Sequence, residues 1–240
     1  MMIAGKTVLV TGANRGIGRA LVDEALGRGA ALVYAGTRQP FTHPDARVTP
    51  LTLDVTDAPQ VEAAAGQVGA LDVLINNAGV APYDDLSDAA ALEQALAVNL
   101  LGTHRVTRAF LPLLIKSRGA VVNNVSTMAF APLPLTPAYS VSKAATFSMT
   151  QSLRALLAAQ GVSVHAVLTG PVDTDMTRGF EIPKVSAESV ARAVFDGLEH
   201  GEEDIFPDPM SQSVAEDWRG GFAKTLERQY AAIAAEVAAA

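Results

Sequence analysis

Tyr139-Ser140-Val141-Ser142-Lys143 sets a phenol and an ammonium four residues apart, on one face of a helix and within reach of one ligand. Thr136 and Pro137 read as N-cap and first helical residue, so Tyr139 falls in the first turn, where the helix dipole favours negative charge. Dipole and Lys143 charge together are expected to pull the phenol from about 10 toward neutrality, as a general acid or base working near pH 7 requires. Ser126, thirteen residues earlier, follows an apolar run and offers a hydroxyl to a carbonyl oxygen. A serine at that offset from a Tyr-x-x-x-Lys pair arises by coincidence at a rate of roughly 0.4% in a chain of this composition. The plain alternative is a capped helix with a surface lysine and a turn serine.

A second set of residues suits a phosphate ligand. Thr11-Gly12-Ala13-Asn14-Arg15-Gly16-Ile17-Gly18 follows a strand-like run and opens a helix. Glycines there permit a tight turn and close approach of a pyrophosphate, and the helix N-terminus supplies N–H donors. Gly12, Asn14, Arg15, Gly16, Ile17 and Gly18 are the candidate contacts; the alternative is a strand-to-helix turn that simply needs glycine. The end of the second strand reads Gly36-Thr37-Arg38, with no carboxylate to bond a ribose 2′-hydroxyl. Arg38 and Arg15 together offer two guanidinium forks suited to a 2′-phosphate. With Thr37 they favour NADP(H) over NAD(H), against the reading of two solvated surface charges.

The Gly-x-x-x-Gly-x-Gly spacing, with Asp54-Val55, Asn76-Asn77-Ala78-Gly79 and the ordered Ser126, Tyr139 and Lys143, resembles the short-chain dehydrogenase/reductase family over about residues 4–206. The resemblance implies that Asp54 and Val55 meet the adenine and that Asn77, Ala78 and Gly79 pack against the cofactor. It implies that Tyr139 is the acid or base, that Ser126 orients the carbonyl oxygen, and that Lys143 holds the nicotinamide ribose and lowers the phenol pKa. Asn99 matches a fourth catalytic position, at which its side chain or the helix backbone it perturbs holds a water joining Lys143 to solvent. Val172 and Thr174 are placed near the carboxamide and pyrophosphate. Thr169-Gly170-Pro171 stands for the family's Pro-Gly turn, with threonine in place of the usual proline, and only about ten residues separate Met176 from the next helix. Val80, Met128, Phe130, Met176 and Phe180 are the candidate walls of an apolar, rather open substrate pocket without an arginine clamp.

The function implied is an NADPH-dependent reductase of ketones or aldehydes, reversible as an alcohol dehydrogenase, with a small apolar substrate. The rivals are an NAD-dependent alcohol dehydrogenase, a non-catalytic NADP(H)-binding scaffold or sensor, and a carrier-linked β-ketoacyl reductase. For the last, Arg105, Arg108 and Arg178 make a meagre basic surface. By analogy the chain is a homodimer or homotetramer paired through the helices beginning near Asp88 and Pro137. An ending of Pro207-Asp208-Pro209 and Trp218, in place of Asp-Gly-Gly, argues against the family's tetramer contact there.

These residues need a parallel sheet to bring them together. Strand candidates are Thr7 to Thr11, Ala31 to Ala35, Val48 to Leu53, Val73 to Asn76, Ala120 to Val125, Val162 to Leu168 and Asp204 to Phe206, and helical segments fill the gaps. The helices run from about Gly16 to Arg28, Pro59 to Val68, Asp88 to Ser117, Pro137 to Gln160 and Ala187 to Glu199. A further stretch, Val214 to Val237, breaks at Gly220-Gly221, and its last alanines are expected to fray. The fold expected is a single doubly wound, Rossmann-type α/β domain over residues 1–240, with a helical extension from about 211. At 240 residues, 49% hydrophobic and 18% charged, the chain has ample material for a core. A net charge of −7 without a basic block argues against nucleic acid, and the lack of cysteine removes thiol chemistry. His43, His104, His165 and His200 show no metal-ligand spacing, so no metal is expected. Without a leader or an apolar run near 20 residues, the chain reads as cytoplasmic, with no membrane partner.

Overall fold

Alternation along the apolar runs decides the architecture. In β1 (Thr7–Thr11) Val8 and Val10 pack into one buried cluster and Leu9 into another; Val33 and Tyr34 of β2 (Leu32–Thr37) divide the same way, as do Val73 and Leu74 of β4 (Val73–Asn76). A strand buried on both faces belongs to a sheet covered on both sides. With β3 (Val48–Thr52), β5 (Ala120–Asn124), β6 (Ser163–Val167) and β7 (Asp204–Ile205), these strands form one parallel sheet in the order β3-β2-β1-β4-β5-β6-β7. The computed structural model describes residues 1–239, with side chains through 236.

α1 (Gly16–Gly27) and α6 (Ala187–His200) cover one face through Leu21, Val22, Val190 and Phe195. α2 (Ala58–Gln67), α4 (Thr103–Ser117) and α5 (Pro137–Ala158) cover the other through Val61, Phe110 and Leu157. This is the doubly wound α/β fold read from the sequence. Strand order reverses at the β1/β4 junction, which opens a crevice at the carboxyl ends of the strands.

Two helical expectations change. The long segment from Asp88 is α3 (Ala89–Ala95) joined to α4 by a π-helical turn, Leu96–Gly102. A Cβ on Gly102 would lie 2.7 Å from Val55 Cγ2, so glycine lets this widened turn seat against the end of β3. Near the C-terminus a helix begins at Pro209, earlier than the expected Val214. Asp208 and Ser211 form a capping box around Pro209, converting the expected sharp turn into a helix start. α7 (Pro209–Gly220) and α8 (Phe222–Ala239) are separated at Gly221, as the paired glycines suggested. The expected fraying concerns side chains, and a final residue, outside the described range.

α8 is held by charge rather than by apolar area. Lys224, 2% exposed, reaches Asp204 at 2.7 Å, Glu203 at 2.9 Å and Glu227 at 3.0 Å, while Arg154 of α5 pairs with Asp204 and Glu227. Trp218 Nε1 donates to the same Asp204 at 2.8 Å.

Candidate active site

The glycine turn is shaped by what a side chain would strike. Gly12 (φ 65°) and Gly16 (φ 52°) occupy the left-handed region. A Cβ on Gly18 would collide with the Gly12 carbonyl and stand 2.6 Å from Asn77 Nδ2. Asn77 Nδ2 donates to the Thr11 carbonyl at 3.0 Å, and the Asn77 and Ala78 amides both donate to Thr11 Oγ1 at 3.0 Å. The segment after β4 thus ties the glycine turn to the centre of the sheet. Asn124 Nδ2 extends that tie to Asn77 Oδ1 at 3.0 Å, and Asn124 Oδ1 is buried without a partner beside the cleft. Thr174 abuts Gly16, where a Cβ would come 3.1 Å from Thr174 Cγ2. An open cradle of backbone and an unpartnered acceptor fit a dinucleotide.

At the far end Thr37, Arg38, Asp54 and Val55 line the same cleft. Burial acts to raise the Asp54 carboxyl, but bonds from Thr56 and the charges of Arg38 and Arg105 outweigh it and hold it below the ordinary range. The two expected arginines differ in what they already bond. Arg15 Nη1 bonds Asp175 Oδ2 at 2.8 Å, so a carboxylate 160 residues away already occupies one fork. Arg38 makes no ion pair among the described residues.

Ser126, Tyr139 and Lys143 converge on this cleft from β5 and α5. Ser126 Oγ accepts from the Met128 amide at 3.1 Å and donates to the Thr169 carbonyl at 3.3 Å. Lys143 Nζ donates to the Asn124 carbonyl at 2.6 Å and lies 5.4 Å from the Tyr139 ring centre. Here the expectation of a phenol near neutrality fails. Burial pushes Tyr139 up to about 12, with the Ser126 hydroxyl acting the other way, and burial pushes Lys143 down to about 8. Burial is the largest influence on both groups, and at Tyr139 it outweighs the Ser126 bond. Thr136 also does not cap α5. Its hydroxyl makes no capping bond, and Asp84 Oδ2 instead accepts from the Ala138 amide at 3.2 Å.

Asn99, 1% exposed in the π-helical turn, uses both amide hydrogens, on the Val80 carbonyl (2.9 Å) and Ser142 Oγ (2.8 Å). Its Oδ1 accepts from the Val80 amide at 2.9 Å, and its carbonyl takes the Thr103 and Thr146 hydroxyls. Asn99 thus clamps three segments together around Lys143.

A glycine cradle, a cationic end and a Ser–Tyr–Lys cluster in one crevice at the strand-order reversal are decided together by the comparison with known proteins. The short chain dehydrogenase family profile matches residues 6–183. The chain belongs to this family. It is accordingly an NAD(P)-dependent oxidoreductase. It is 33% identical over 222 residues to the short chain dehydrogenase pigC of Monascus ruber, covering 78% of this chain and 73% of that one. Identity is also 33% over 208 residues to an uncharacterized oxidoreductase of Staphylococcus epidermidis, covering 80% and 90%. A Burkholderia cenocepacia short chain dehydrogenase solved with NADP is 38% identical and superposes with a TM-score of 0.86 over 92% of this chain and 95% of that one. An NADPH-bound carbonyl reductase from chicken fatty liver is 25% identical, with a TM-score of 0.75 over 85% and 100%.

In this dehydrogenase the cleft has a volume of about 780 Å³. Val80, Met128, Phe130, Met176 and Phe180 all line it, as do Val172, Thr174 and Gly79. Phe180 stacks on Tyr83 at 5.6 Å, and Phe130 stacks on Trp218 of α7 at 4.7 Å. Sequence reasoning missed Leu133, Ile182, Met210 and Val214, which complete the apolar lining. The last two lie on α7, so a helix after the sheet stands beside the short segment following Met176. The Asp-x-x-Ser spacing with proline at the first helical position was the available signal.

Proposed function

We propose that this short-chain dehydrogenase is an NADPH-dependent reductase of hydrophobic ketones or aldehydes, running in reverse as an alcohol dehydrogenase. The observation that carries the reading is the order of groups along one cleft: Arg38 without a carboxylate at the end of β2, Ser126, Tyr139 and Lys143 centrally, and an apolar wall beyond them. The NADP and NADPH in the two solved relatives add support.

Gly12, Asn14, Arg15, Gly16, Ile17 and Gly18 would hold the pyrophosphate, Thr37 and Arg38 the 2′-phosphate, and Asp54 and Val55 the adenine. Asn77, Ala78, Gly79, Val172 and Thr174 would enclose the nicotinamide half. When bound, the dinucleotide supplies hydride to the carbonyl carbon. Tyr139 carries the proton that the carbonyl oxygen needs. The protonated phenol, which burial favours, is the form that the reducing direction consumes. Ser126 orients the oxygen, Lys143 holds the ribose and returns a proton to Tyr139, and Asn99 fixes the backbone around them.

The test is a titration with NADPH and then NADH, followed by nicotinamide fluorescence, and then a panel of bulky ketones. NADPH should bind at least about tenfold more tightly, and at least one ketone should oxidise it. Arg38→Ala should erase most of the preference, since one charge-assisted phosphate contact is worth about 1.5–3 kcal/mol. Preference for NADH would move the assignment to an NAD-dependent dehydrogenase, and binding of neither would overturn it.

A further inference from the structure

Asp208 is buried to 2% exposure and takes no part in the chemistry above. Its Oδ1 accepts from the Ser211 amide at 3.0 Å, which caps α7. A cap needs no more, and serine or asparagine would serve equally. Oδ2 accepts from the Gly170 amide at 2.7 Å. The carbonyl of that same peptide unit, on Thr169, accepts from Ser126 Oγ at 3.3 Å, the Thr127 amide at 3.0 Å and Thr127 Oγ1 at 3.4 Å. One peptide therefore stands between a buried carboxylate and the Ser126 hydroxyl. A Cβ on Gly170 would come 2.6 Å from Asp208 Oδ1, so glycine is what admits the carboxylate.

We propose that Asp208 is a positioning residue whose carboxylate orients the Thr169–Gly170 peptide and thereby places the Ser126 hydroxyl. Thr169 has a free φ where a proline would be locked, so this turn draws its restraint from the Asp208 bond instead. The peptide is polarised by an anion on its N–H, which makes its carbonyl a better acceptor. The bond from Ser126 is long enough to be exchanged for a substrate oxygen while Oγ stays in place. Because Asp208 also starts α7, the Met210 and Val214 walls and the Ser126 hydroxyl share one anchor.

The experiment is Asp208→Ser, which keeps an oxygen for the Ser211 amide and withdraws the one on Gly170. Amide exchange should become at least about tenfold faster at Gly170 and also at Thr127, which Asp208 does not touch, while melting temperature stays within about 4 °C. With a ketone substrate, kcat should fall about tenfold. In a Ser126→Ala background the same change should cost less than about twofold, since the effect runs through Ser126. Unchanged exchange at Thr127 overturns the proposal, as does an equal loss in both backgrounds. The kinetic arm rests on the carbonyl-reductase reading. A wild type that reduces no ketone defeats that reading, and the exchange arm then decides this one.

Discussion

Two side chains set the terms at the residue scale, and burial moves both away from their ordinary behaviour. Tyr139→Phe removes the proton donor and leaves the shape of the cleft. Its kcat for ketone reduction should drop at least about a hundredfold, with NADPH affinity within about threefold. Lys143, pushed down to about 8 by burial, is an uncomfortable charge at neutral pH. Below about 8 it is protonated in both folded and unfolded chains and the penalty is complete; above 10.5 it is neutral in both and the penalty is gone. Lys143→Met should therefore inactivate the enzyme yet stabilise it by about 2 kcal/mol at pH 7, after allowing for the lost bond to the Asn124 carbonyl. Urea unfolding at pH 7, 8.5 and 10 checks the sign, since the gain should shrink as pH rises.

Two glycines of α1 make the argument at the element scale. Gly18 faces the Gly12 carbonyl and Asn77, whereas a Cβ on Gly27 would meet nothing within 4 Å. Gly18→Ala should destabilise by about 1–3 kcal/mol and weaken NADPH binding at least about tenfold; Gly27→Ala should leave binding alone and stabilise by about 0.5–1 kcal/mol. Thermal melts and a fluorescence titration of both proteins measure this contrast. Strands and the starts of α1 and α5 were readable locally, since short apolar runs, the glycine turn and Pro137 are all short-range signals. The cap of α5 was not. Thr136 has the right type and place, but the Ala138 amide is reached by Asp84, 54 residues before Ala138. Likewise the spacing of Asn99 marked its position, while the clamp it forms on Val80 and Ser142 depends on a π-helical turn that no local pattern announces.

For the whole molecule, the C-terminal helices close the apolar end of the cleft and are secured by buried charge. Lys224 bridges Asp204, Glu203 and Glu227, and Lys224→Ala would leave the buried Asp204 and Glu227 carboxylates with Arg154 as their one cationic partner among the described residues. A loss of about 3–5 kcal/mol in chemical denaturation is expected, because removing one partner strands buried charge.

The sequence by itself determined the parallel sheet, the glycine turn and the Tyr-x-x-x-Lys pair, because backbone freedom, side-chain alternation and helical spacing act over a few residues. Tertiary structure alone decided the strand order, the direction in which burial moves Tyr139 and Lys143, the diversion of Arg15 to Asp175, and the tie from Asp208 to the Thr169–Gly170 peptide. Desolvation depends on everything packed around a group, and an ion pair or cap is made with whichever partner the fold brings near, so neither quantity is written in the spacing of residues along the chain.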